Sequence, residues 1–198
     1  METYIRRYDN VISSELCDTL IDRFENSPHQ YERQEQGEMS FTQIHLLHHK
    51  EWHEDARILA ESLMKQVVQY KKDCDIPDPP ALNMFPEKFT LEPMRLKRYL
   101  PDGTDQFGDH VDVNDLNSAK RFLVFFLYLD NNEKGRTLFP RHDIVSECKK
   151  GSCLIFPPLW PYVHAGEKPI NKPKYIVGSY LHYVWFTNLR TNIKRPNY

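Results

Sequence analysis

Within the stretch FGDHVDVND, Phe107 to Asp115, His110 and Asp112 stand two positions apart with Val111 between them. On an extended strand alternate side chains share a face, so this spacing presents an imidazole and a carboxylate together while Val111 points away. One ring nitrogen and one carboxylate oxygen on a common face can chelate a divalent cation. The same pair also arises by chance in solvated polar turns, and alone it leaves both readings open.

His164 adds a third donor. In LIFPPLWPYVHAGEKP it lies at the end of an apolar strand and its proline turn, where an isolated polar ring has little reason to be. Two histidines and one carboxylate on one face of a divalent metal leave the opposite positions open, the arrangement used by non-haem Fe(II) oxygenases. His110, Asp112 and His164 are therefore candidate metal ligands. Lys174 opens the next strand-like stretch, KYIVGSYLHYV, where alternation puts Lys174, Ile176, Gly178 and Tyr180 on one face. An inward-facing cation needs an anionic partner, because an unpaired buried charge is costly. A dicarboxylate cosubstrate would supply one.

These side chains must be positioned by the elements around them. SSELCDTLIDRFENS predicts a short helix, with Ser13 or Ser14 as N-cap, Glu15 and Asp18 in the first turn, and Leu16, Leu20, Ile21 and Phe24 at helical spacing. EWHEDARILAESLMKQVVQYKKD predicts a longer one with Trp52, Ala56, Leu59, Leu63, Val67 and Tyr70 on one face. Residues 75–93 are rich in proline and predict irregular connection. Beyond them MRLKRYL, RFLVFFLYLD, GSCLIFPP and PKYIVGSYLHYVWF read as strands, separated by PDG, NNEKG, KKG and proline-rich turns. Helices followed by successive strands predict a β-sandwich or open barrel braced by helices. The final NLRTNIKRPNY reads as a loosely held tail.

A chain of 198 residues is long enough to bury a real core and is read as one domain. Its net charge of -2 and sequence pI of about 6.5 argue against a nucleic-acid partner. Cys17, Cys74, Cys148 and Cys153 lack CxxC spacing, and METYIRRYDN lacks the apolar run of a secretory leader. Reduced thiols and a cytoplasmic setting are the expectation. The apolar run FLVFFLYL is too short to span a bilayer as a helix, so no membrane partner is expected.

Taken together, YDNVISSELCDTLIDRFENS, RYLPDGTDQFGDHVD, FLYLDNNEKGRTLFP and KKGSCLIFPPLWPYVHAGEKPINKPKYIVGSYLHY resemble the 2-oxoglutarate- and Fe(II)-dependent dioxygenases, in their prolyl 4-hydroxylase-like branch. The resemblance covers most of the chain, and motif order and spacing both carry it. It implies a mainly β, α+β fold: a double-stranded β-helix, or cupin-like jelly roll, over about residues 90–187, with N-terminal helices from about residues 1–75 packed on the major sheet. It places the iron ligands on His110, Asp112 and His164 and the anchor for the distal carboxylate of 2-oxoglutarate on Lys174. Tyr99 and Thr137 match positions that hydrogen-bond the cosubstrate, and Tyr180 matches an aromatic lining the same end of the pocket. The activity implied is hydroxylation of a residue, with proline leading, in a peptide or protein. Dioxygen is consumed, 2-oxoglutarate becomes succinate and carbon dioxide, and ascorbate is a candidate accessory reductant.

Two departures border the expected pocket and bear on what enters it. EKGRT carries Lys134 and Gly135 where the family often has two glycines, and two additional residues stand between Tyr99 and His110. The alternatives are the same chemistry on a free amino acid, nucleobase or other small molecule, and a jelly-roll binding or interaction protein without turnover. His45, His49 and His53, with His48 adjacent, stand at helical spacing near a helix start. They read as clustered surface histidines rather than a second metal site. In the family this part of the chain often forms a mobile lid, and by that likeness Gln30 to His49 is a candidate substrate-side segment. Phe125, Phe126, Phe156 and Trp160 are expected to pack in the core around the pocket.

Overall fold

A computed structural model describes residues 4–77, 85–101, 103 and 105–184. The C-terminal tail and residues 78–84 of the proline-rich connection lie outside the described residues, as do the last two positions of the VWF stretch.

Among the described residues, two α-helices and twelve strands follow one another as β1 (Arg6–Tyr8), α1 (Ser14–Glu25), β2 (Glu32–Gln36), β3 (Met39–His45), α2 (His53–Asp73), β4 (Phe89–Leu91), β5 (Arg95–Tyr99), β6 (Gln106–His110), β7 (Arg121–Tyr128), β8 (Asn132–Phe139), β9 (Ile144–Cys148), β10 (Cys153–Phe156), β11 (His164–Gly166) and β12 (Lys174–Tyr183). The strands pair antiparallel in the order β1-β10-β7-β12-β5-β3-β6-β11-β8-β9, with β2 added to β3 and β4 to β12. This is a double-stranded β-helix.

The sheet is buried on both faces, which is why its central strands read as continuous apolar runs rather than alternating ones. On β7, Leu123, Phe125 and Leu127 point outward to the helices, while Val124, Phe126 and Tyr128 point into the roll. β12 and β10 obey the same alternation, with Val177 and Ile155 outward and Ile176 and Leu154 inward. Against the outer face α1 lays Cys17, Leu20 and Phe24, and α2 lays Ala56, Leu59, Leu63, Val67 and Tyr70. The side chain of Ser13 accepts from the backbone N–H of Leu16 at 3.1 Å, so Ser13 is the N-cap. Gly151, at φ +75°, turns the KKG corner, where a Cβ would come within 2.6 Å of the carbonyl oxygen of Ile12.

The structure bears on four expectations from the sequence. The first third is not helical alone, because β1, β2 and β3 all join the sheet. Gln30 to His49, expected on the substrate side, is mostly the β2–β3 hairpin, and β3 hydrogen-bonds to both β5 and β6. The histidines at 45, 49 and 53 do not share a helix, since His45 ends β3 and α2 begins only at His53. NNEKG is the start of β8 rather than a turn, its ladder to β9 broken by a register shift between Asn132 and Thr137.

Candidate metal centre

β11 pairs with β6 so that His164 stands directly opposite His110, and cross-strand neighbours of this kind bring their side chains together. Their rings lie 4.2 Å apart. His110 is the last residue of β6, so Asp112 sits in the bend just past the strand rather than on it, yet its carboxylate reaches the same cavity. Asp112 Oδ1 is 3.7 Å from His110 Nε2, and Oδ2 is 3.4 Å from His164 Nε2. With metal–ligand bonds of about 2.0–2.2 Å, adjacent ligands around one ion stand about 3 Å apart, so these three need only small movements to share one.

Both imidazoles are held in one tautomer. His110 Nδ1 donates to the carbonyl of Gly108 at 2.8 Å, and His164 Nδ1 donates to that of Tyr162 at 3.0 Å. Each Nε2 lone pair is thereby turned into the cavity. Asp112 accepts from the Tyr180 hydroxyl at 2.8 Å through Oδ1. What remains is His110 Nε2, His164 Nε2 and Asp112 Oδ2, all buried and without a hydrogen-bond partner. Buried polar atoms are almost always satisfied, so three orphans converging on one point fit a cation. Among the described residues this is the one group of metal-binding side chains with ligand atoms within 4.8 Å of one another.

The surroundings favour the ligand forms of these groups. Burial pushes the His164 imidazole below its ordinary value, against the pull of Asp112. Burial would raise the Asp112 carboxyl, but His164, His110 and the Tyr180 hydroxyl hold it well below the usual range. Phe107 stacks on His110 at 3.6 Å, and Phe156 lies 4.7 Å from the ring of His164, with Phe139 and Phe126 beyond it. These rings limit access of water.

A narrow cavity runs inward from the triad. Lys174 stands at its inner end, 3 % exposed, with Nζ 5.4 Å from the ring centre of Tyr99 and 5.8 Å from that of Tyr128. Among the described residues it has no carboxylate within ion-pair range, and burial lowers its ammonium below the ordinary lysine value. Lys172, by contrast, is committed to Asp130 at 2.6 Å near the surface. Thr137 shares a hydrogen bond of 2.7 Å with Tyr128 and lines the cavity beside Tyr99. Gly166 forms part of the wall, where a Cβ would stand 3.7 Å from both Lys174 Nζ and Phe107 Cβ.

The structure thus brings His110, Asp112, His164, Lys174, Tyr99, Thr137 and Tyr180 to one cavity. Tyr180 stands at the Asp112 end of it, away from the end assigned to it above. Of the expected packing residues, Phe126 and Phe156 belong to the inner cluster, whereas Phe125 faces the helices. Trp160 is 72 % exposed and packs around nothing there, because it lies in the turn between β10 and β11.

Sequence reasoning missed Lys97 and Arg95. Both follow from the alternation it used elsewhere, since they stand two and four positions before Tyr99 on β5. Lys97 lines the inner cavity and also a wider outer groove, bounded by the β2–β3 hairpin on one side and Asp112 and Arg121 on the other. Its ammonium sits 4.6 Å over Phe41, and burial lowers its pKa to about 8, with Asp112 pulling the other way. The hairpin wall is tied down where Arg33 pairs with the buried Asp105 at 2.6 Å.

No protein-family model matches this chain, and neither does any curated protein sequence. Solved structures do. A viral collagen prolyl hydroxylase from Paramecium Bursaria Chlorella virus-1, in a complex with 2OG, superimposes with a TM-score of 0.64 at 20% identity over 92% of this chain and 97% of its own. A prolyl hydroxylase from Trichoplax adhaerens, in complex with a hypoxia inducible factor peptide fragment, gives a TM-score of 0.66 at 12% identity over 91% and 84%. The non-heme alpha-ketoglutarate-dependent epimerase of nogalamycin biosynthesis gives 0.57 at 11% identity over 91% and 78%. In its architecture, then, this chain has the double-stranded β-helix fold of the prolyl hydroxylases.

Proposed function

We propose that this chain is an Fe(II)- and 2-oxoglutarate-dependent dioxygenase that hydroxylates a residue, with proline the leading target, in a peptide or protein. The observation that carries the reading is the convergence of three orphaned ligand atoms, from His110, Asp112 and His164, at the mouth of a cavity whose far end holds an unpaired lysine. Two histidines and a carboxylate suit Fe(II). When bound, it supplies the chemistry that couples oxidative decarboxylation of 2-oxoglutarate to hydroxylation of an unactivated C–H bond.

The chain's own groups bind, orient and shield. Lys174 receives the distal carboxylate through a charge-assisted contact, and Tyr99 and Thr137 contact the same ligand from the cavity wall. Tyr180 keeps Asp112 oriented, and Phe107, Phe126 and Phe156 keep the cavity apolar around the donors. The outer groove opens directly onto Asp112 and His110 and is bounded by the β2–β3 hairpin. Two relatives in fold are prolyl hydroxylases, one of them in complex with a peptide. The four cysteines are free thiols, which supports a reducing, cytoplasmic setting; among the described residues no helix is long and apolar enough to cross a membrane. Ascorbate enters only as an accessory reductant that sustains turnover.

The epimerase favours a second reading, the same metal and cosubstrate acting on a small molecule. Incubating the protein with Fe(II), 2-oxoglutarate and peptide libraries separates the two. Succinate release coupled to a gain of one oxygen mass on a proline-containing peptide is the expected result. Coupling to a free amino acid or other small molecule, with none to any peptide, overturns the first reading.

A further inference from the structure

Arg95 and Lys97 project from one face of β5 into the outer groove. Among the described residues neither has a carboxylate within ion-pair range. Arg95 has only Nε2 of His45 in reach, 3.4 Å from its Nε, the same atom that faces Glu32, and Lys97 lies over Phe41 and Phe107 at 4.6 and 5.9 Å. The third cation of the groove is different: Arg121 is spent on Glu92, with two contacts of 2.9 and 3.0 Å. The acid of the hairpin wall, Glu32, faces His45 and His48 at 3.3 and 3.8 Å rather than either free cation.

Filling the inner site does not neutralise this pair. A divalent ion against Asp112, and a dicarboxylate against Lys174 and that ion, balance one another in charge. Lys97 and Arg95 are left over. A poorly solvated cation without a partner is costly, so the missing anion has to arrive with whatever occupies the groove.

We propose that the outer groove selects a peptide or protein segment carrying a carboxylate side chain close to the residue to be oxidised, received by Lys97 with Arg95 beside it. This rests on the reading of the site as a peptide-oxidising dioxygenase and specifies its substrate class. Lys97 and Arg95 act as positioning residues: by holding the acid they set which neighbouring residue stands over His110 and Asp112.

The test measures binding without turnover. Labelled proline-containing peptides, differing only by Asp or Asn at one position within a few residues of the proline, are titrated into the full chain loaded with Mn(II) and 2-oxoglutarate in the absence of oxygen. Fluorescence anisotropy reports the affinity. At one position or more the Asp peptide binds about tenfold more tightly than its Asn twin, and added salt shrinks the difference. Lys97→Met, which keeps the apolar stem over Phe41, abolishes the preference while leaving 2-oxoglutarate affinity unchanged. Lys97→Glu recovers binding to a peptide with Lys in place of the Asp. Equal affinities for Asp and Asn peptides at every position overturn the proposal, as does a preference that survives Lys97→Met. A loss of 2-oxoglutarate affinity in that variant with the peptide preference intact overturns it too and assigns Lys97 to the cosubstrate. Acid-dependent binding with no succinate formed in oxygen supports the groove's preference and overturns the reaction instead.

Discussion

The hydroxyl of Tyr180 donates to Oδ1 of Asp112 at 2.8 Å, and the guanidinium of Arg121 lies 4.0 Å from the centre of the same tyrosine ring. Arg121 also donates to the backbone carbonyl of Asp112 at 3.2 Å. The carboxylate is therefore clamped by its side chain and its backbone, with Oδ2 left facing His164. Partners of this kind tune a metal ligand about 10–100-fold in affinity. Tyr180→Phe should fold normally and weaken Fe(II) binding by about that range in an anaerobic titration; unchanged affinity would show that Oδ1 needs no partner.

Asp112→Ala removes the carboxylate of the triad and leaves its two imidazoles. Fe(II)-dependent release of succinate from 2-oxoglutarate should fall to background in this variant. Activity equal to that of the parent would refute the triad.

Lys174→Ala should raise the 2-oxoglutarate concentration required by tenfold or more while sparing metal affinity, because the ammonium lies at the far end of the cavity from the ligands. Both quantities are read from titrations of the same preparation. Lys172 cannot substitute while it is held by Asp130, so an unchanged requirement would direct attention to Lys97.

Gly166 offers a test by volume rather than charge. Its absent Cβ would meet Lys174 Nζ and Phe107 at ordinary contact distance, so Gly166→Ala should be mild. The branched side chain of Gly166→Val would project into the space needed by the cosubstrate. It should cut 2-oxoglutarate affinity at least tenfold while metal binding persists, and calorimetry of each ligand separately distinguishes the two effects.

Metal should stabilise the fold, because the three orphaned donors converge only in the folded chain. At a free metal concentration about 100 times the Kd the gain is about 2.7 kcal/mol, or roughly 5–10 °C in Tm for a chain of this size. Mn(II) can be used to avoid oxidation, and a chelator should reverse the shift. Asp112→Ala should show little of it.

The ligand types, the helices and the apolar strands were legible in the sequence because each is a local property. Ser13 or Ser14 before a helical run of Leu16, Leu20 and Phe24 needs no tertiary information to be read as a helix start, and the faces of α2 follow from a period of 3.6. Strand alternation likewise put Lys174, Ile176 and Tyr180 on one face before any partner strand was known.

The β2–β3 hairpin was not legible, since ERQEQ and MSFTQIH are polar or mixed and gain their strand structure by pairing with β5 and β6. The same holds for NEKGRTLF on β8. Register decided the rest: β11 against β6 sets His164 opposite His110, and the bend after β6 swings Asp112 into line with them. Residue types and spacing determined which side chains could bind a metal and which lysine would face inward. Only the closing of the sheet, which buries those groups in one cavity away from water, decided that they meet and that Lys97 stands between the inner cavity and the groove.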